Sequence, residues 1–121
     1  MDSARLVIIH KNKALRHRIA DFLTMAGMTI INDAESLRGL QENADEWKPH
    51  IILLDICQMD DEFPTLLGNL KETLPQVKFV FVGPEPRAHY AKHTITMGAD
   101  LYLSEGQHSD EWIGKLMAIQ P

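Results

Sequence analysis

The feature that most constrains this chain is an alternation of short apolar runs with longer amphipathic stretches. The runs are RLVII (5–9), MTII (28–31), HIILL (50–54), VKFVFV (77–82) and ADLYL (99–103). Four of them lack strict apolar–polar alternation, as parallel strands covered on both faces do. The stretches between them carry helical spacing. The first places Leu15, Ile19, Phe22, Leu23 and Ala26 on one side and stops at Gly27, a residue suited to a left-handed cap. The second begins at Asp33 as N-cap and buries Leu37, Leu40 and Ala44. The third carries Leu66, Leu67 and Leu70 before Pro75, and the fourth runs from about Pro86 to Met97 with Gly98 as its stop. The last starts at Ser109, where Asp110 and Glu111 suit the helix dipole, and buries Trp112, Ile113, Leu116 and Met117.

Five β–α units joined by right-handed crossovers make a doubly wound α/β domain: a five-stranded parallel sheet of order 2-1-3-4-5 with helices on both faces. At 121 residues the chain fits one domain, 1–121, with one core. Twelve basic against seventeen acidic side chains give a net charge of -5, so no direct nucleic-acid partner and no anionic membrane is expected. No apolar run approaches the ~20 residues that span a bilayer, and the opening MDSARLVII is too short a run for a signal peptide. A cytoplasmic protein is the expectation. Cys57 is the single cysteine, and its acidic neighbours Asp55, Asp60, Asp61 and Glu62 disfavour a thiolate, so it reads as a quiet loop residue.

In a sheet of this order ligands meet the carboxyl ends of the strands, at the switch point between the first and third. That rule selects His10 and Lys11 after the first strand, Asp55 after the third, Gly83 after the fourth, and Ser104 and Glu105 after the fifth.

LVII followed by two polar residues, IILLD, the strand end VFVG, and GADLYLSEG together resemble the receiver domain of bacterial two-component response regulators, over nearly the whole chain. The resemblance implies a flavodoxin-like three-layer sandwich. It makes Asp55 the equivalent of the aspartate that takes a phosphoryl group from a histidine kinase, and Tyr102 the equivalent of an aromatic switch residue. In that family two acidic residues after the first strand hold Mg²⁺, a Thr or Ser ends the fourth strand and a Lys ends the fifth. Here His10 and Lys11, Gly83 and Glu105 stand at those positions. Met59 replaces a proline usual in the loop that contains Cys57.

These departures have physical consequences. Mg²⁺ wants octahedral oxygen ligands, whereas two unit charges about 4 Å apart at an effective dielectric near 20 interact by roughly 4 kcal/mol, so an ammonium beside Asp55 repels the ion. The expectation is a Lys11 salt bridge to Asp55, Glu105 or both. Phosphoryl transfer relies on positioning and on stabilisation by metal and basic groups, and those aids are missing. The chain therefore reads as a degenerate, pseudo-receiver signalling domain with no catalytic residue, no metal ligand set and no cofactor, acting through protein contacts with a histidine kinase or an output protein. One alternative is a response regulator still phosphorylated on Asp55; another is a small-molecule or nucleotide sensor using the same crevice, although HKNKAL lacks the glycines and hydroxyls that let backbone approach phosphate.

Three further features have plain readings. His89 and His93 share a helical face but lack a third ligand, so they read as a solvated pair. KNKALRHR (11–18) reads as the wet face of the first helix. Tyr90, Tyr102, His89, His93 and Trp112 lie on or near the fourth helix, fifth strand and fifth helix, the surface through which a homodimer or partner contact would form, with Trp112 read first as core.

Overall fold

A computed structural model describes residues 4–34, 40, 46–56, 62–83, 95–96 and 98–119. Strands β1 (Arg5–Ile9), β2 (Thr29–Ala34), β3 (Ile51–Asp55), β4 (Lys78–Gly83) and β5 (Leu101–Ser104) pair in parallel in the order β2-β1-β3-β4-β5. This is the predicted doubly wound sheet. Three helices lie within the described residues: α1 (Lys13–Met25), α2 (Phe63–Thr73) and α3 (Ser109–Ile119).

The apolar runs are nearly continuous because each strand feeds two cores. Val7, Ile9, Ile52, Leu54, Phe79 and Phe81 pack toward Phe63, Leu67 and Leu70 of α2. Leu6, Ile8, Leu53, Val80, Val82 and Leu103 pack toward Ile19 and Leu23 of α1 and Trp112 and Leu116 of α3. Each large apolar side chain fully buried this way contributes about 1.5–3 kcal/mol, so residues on both sides of β1, β3 and β4 are held apolar.

Helix α1 begins at Asn12, whose Oδ1 accepts the Leu15 N–H at 3.1 Å, an N-cap that satisfies one of the first free amides. It ends at Ala26 and Gly27, where φ is 94°, the left-handed stop expected of that glycine. Asp33 is a correction. It does not cap a second helix but lies in β2, paired with Ile8 of β1. Ladder pairing along β1 outweighs the low strand preference of Asn32 and Asp33. Met117 is a second correction, 51% exposed, while Trp112 and Leu116 carry the buried face of α3. Most of the second and fourth predicted helices, with Leu37 and Ala44, lies outside the described residues. Leu40 is fully buried as expected, and Gly98, at φ 113°, fits its predicted role as a stop. Among the described residues no helix is long and apolar enough to cross a membrane.

Candidate functional site at the carboxyl edge of the sheet

After Ile9 the chain turns into α1 within three residues, and two hydrogen bonds shape the turn. The Asn12 N–H donates to His10 Nδ1 at 3.0 Å, and Arg16 Nη1 donates to the His10 carbonyl at 2.7 Å. Arg16 is therefore not on the wet face predicted for KNKALRHR; it is buried, while Lys11, Lys13 and Arg18 are exposed. The tightened turn presses the His10 side chain, only 7% exposed, into the crevice.

There the imidazole lies between two carboxylates. Nδ1 is 3.6 Å from Asp55 Oδ2, and Nε2 is 3.5 Å from Glu105 Oε1. Asp55 closes β3, is 2% exposed and pairs with Val82 of β4. Glu105 follows β5 and is held by its own N–H, which donates to the Gly83 carbonyl at 2.7 Å. The next turn is fixed by Gln107, whose Oε1 accepts the Ser104 N–H at 2.8 Å.

The expected Lys11 salt bridge is not formed. Lys11 is exposed and, among the described residues, makes no ion pair with Asp55 or Glu105. His10 takes the space assigned to the ammonium, because the bonds to Asn12 and Arg16 turn residue 10 inward and leave residue 11 in solvent.

Two contacts compete for His10 Nδ1, the Asn12 amide and the Asp55 carboxylate. The amide contact is shorter and directed, and 3.6 Å exceeds hydrogen-bond range. Acceptance by Nδ1 assigns the proton of a neutral ring to Nε2. Among the described residues that buried Nε2 has no hydrogen-bond partner, since Glu105 stands slightly too far away. Among the described residues, one buried imidazole and two carboxylates converge here, with the Lys11 ammonium exposed beside them.

Gly83 and Tyr102 fit together in a way the sequence did not disclose. A Cβ at Gly83 would overlap the Tyr102 hydroxyl and come within 2.6 Å of Ile56 Cδ1. The missing side chain thus leaves the volume that the phenol tip occupies. Tyr102 is half-buried against the core on the α2 side of the sheet, whereas Trp112 belongs to the opposite core, edge-on to Phe22 of α1 with ring centroids 5.6 Å apart. The two aromatics therefore do not share one surface. Cys57, Met59, His89, Tyr90 and His93 lie outside the described residues.

Beside the crevice runs a groove of about 200 Å³ between α1 and α3, lined by Leu15, Ile19, Phe22, Trp112, Arg18 and Glu105. Sequence reading missed it, because Leu15 and Phe22 look like ordinary core positions until α3 is placed beside α1.

The sequence matches no family model and no curated protein. The likeness lies in three dimensions. A DNA-binding response regulator of the LuxR family from Staphylococcus aureus superposes with a TM-score of 0.81 at 17% identity, over 96% of this chain and 98% of that one. The receiver domain of the putative response regulator NarL from Mycobacterium tuberculosis gives 0.82 at 14% identity, over 98% and 96%. The receiver domain of TorR, the response regulator of the TMAO respiratory system, gives 0.80 at 23% identity, over 95% and 94%. The chain has the fold of response-regulator receiver domains.

Proposed function

We propose that this chain is a receiver-type signalling module of two-component signal transduction that acts through contacts with a kinase or output protein, without Mg²⁺-dependent phosphorylation of Asp55. The observation that carries the reading is His10, a buried imidazole standing between Asp55 and Glu105 where a metal-binding carboxylate would be needed. Asp55 is the phosphoacceptor equivalent, but Glu105 places negative charge where an arriving phosphoryl group would need a cation. The surface of β5, α3 and the helix predicted over Pro86 to Met97, with Tyr102 at its edge, is the surface proposed for partner or homodimer contacts.

Two measurements test this reading. Intact mass after incubation with acetyl phosphate is expected to show no phosphoryl adduct, with or without Mg²⁺; an adduct that requires Mg²⁺ and disappears in Asp55→Asn would establish the phosphorylated alternative. In a Mg²⁺ titration followed by NMR, residues around Asp55 are expected not to respond in the unmodified chain. His10→Asp is expected to create a weak site, because it is residue 10, rather than Lys11, that faces Asp55. The exchange supplies a second carboxylate oxygen in reach of Asp55 and removes a nitrogen that Mg²⁺ does not favour. Equal Mg²⁺ binding by the two proteins would sink the assignment of His10 as the blocking group.

A further inference from the structure

The groups that exclude Mg²⁺ make a different kind of site. His10, Asp55 and Glu105 each place a possible ligand atom within 4.8 Å of the others. Proximity of acidic groups alone would mean little. The second observation is the His10 side chain itself, 7% exposed and with its Nε2 buried without a hydrogen-bond partner among the described residues, 3.5 Å from the Glu105 carboxylate. A buried nitrogen left unsatisfied is costly.

We propose that His10, Asp55 and Glu105 bind a divalent transition-metal ion of the zinc type. One imidazole nitrogen and two carboxylates suit a borderline cation with positions left for water, and the 3.5 Å between His10 Nε2 and Glu105 Oε1 is close to the ~3.4 Å that separates two ligands on a tetrahedral zinc. The two carboxylates bring negative charge that the ion neutralises. Glu105, 38% exposed at its side chain, is the entry side.

Binding imposes a proton exchange inside the ring. Nε2 loses its proton to solvent so that its lone pair can coordinate, and Nδ1 takes one from solvent, so the imidazole stays neutral. The Asn12 amide then faces an N–H instead of a lone pair and must turn to water. The Asn12 amide is thus a reporter specific to this site. The proposal goes beyond the signalling reading and does not depend on it, since phosphodonor chemistry is decided separately by mass.

The test is a titration of the full chain with Zn²⁺ and, separately, Mg²⁺, followed by calorimetry and by ¹⁵N NMR of the histidine rings and backbone. One saturable Zn²⁺ site is expected, with the His10 Nε2 signal shifting on coordination, Nδ1 becoming protonated and the Asn12 amide resonance moving; Mg²⁺ moves none of them. His10→Gln and Glu105→Gln should each weaken Zn²⁺ binding at least tenfold, and a variant with both His89 and His93 changed to Asn should bind as before. If His10→Gln does not fold, Glu105→Gln, at a partly exposed position, and the ring signals of the unmodified chain still decide. Zn²⁺ binding that leaves the His10 and Asn12 signals in place, or that is lost with His89 and His93 and kept in Glu105→Gln, would overturn the proposal.

Discussion

Trp112→Ala is expected to lower folding stability by about 3–5 kcal/mol, the range for removing a buried tryptophan ring. That is a large share of the ~5–15 kcal/mol that holds a domain of this kind together. Trp112 is 4% exposed and is the piece of α3 that meets both neighbouring elements. Its ring makes a T-shaped contact with Phe22 of α1, and its Nε1 donates to the Ser104 carbonyl at 2.9 Å at the end of β5. Trp112→Phe separates the two contributions. It keeps most of the ring contact and loses the hydrogen bond, and the Ser104 carbonyl retains the Gln107 N–H at 3.1 Å, so it is not stranded. The phenylalanine variant should therefore cost little beyond about 1 kcal/mol plus the lost ring area. Urea unfolding of both variants checks this, and an alanine variant within 1 kcal/mol of the unmodified chain would show that α3 is not anchored through this ring.

The sheet was legible because its physics is local in sequence: apolar runs covered on two faces cannot alternate, and Gly27 and Gly98 mark where helices stop. The site was legible only in part. Asp55 could be placed because it ends IILLD at the switch point. Choosing between His10 and Lys11 required the turn after β1, and that turn depends on Arg16, four residues past Asn12 and folded back onto the His10 carbonyl. No periodicity marks an arginine as buried. One signal was available and unused: Asn12 directly before an amphipathic helix is an N-cap pattern, and an N-cap at 12 leaves only His10 and Lys11 to make the turn. The error at Asp33 has another origin, since β2 extends to Ala34 by pairing with β1, and a carboxylate's preference for helix starts is a weak prior beside a ladder.

Gly83→Thr is expected to drive Tyr102 out of its place and to cost about 1–3 kcal/mol, the usual range for overfilling a packed site. A Cβ at position 83 already overlaps the Tyr102 hydroxyl and crowds Ile56, and threonine adds two further heavy atoms. Ile56 can change rotamer, but Tyr102 is a rigid ring whose tip can leave only if the ring swings. Gly83 and Ser104 are paired across β4 and β5, and so are Phe81 and Tyr102, so the strands cannot slide to make room without breaking the ladder. The consequence for function is direct: with glycine at 83 there is no hydroxyl whose movement could reposition the ring, and its orientation should be the same whatever is done at Asp55. Adding Tyr102→Phe to Gly83→Thr removes the overlapping oxygen and should recover part of the loss, a coupling of about 0.5–3 kcal/mol between residues in contact. Unfolding midpoints give the coupling, and aromatic NMR signals give the orientation. Tyr102 signals that hold still in Gly83→Thr, or that move on addition of a phosphodonor to the unmodified chain, would show that the ring does not depend on the space above Gly83.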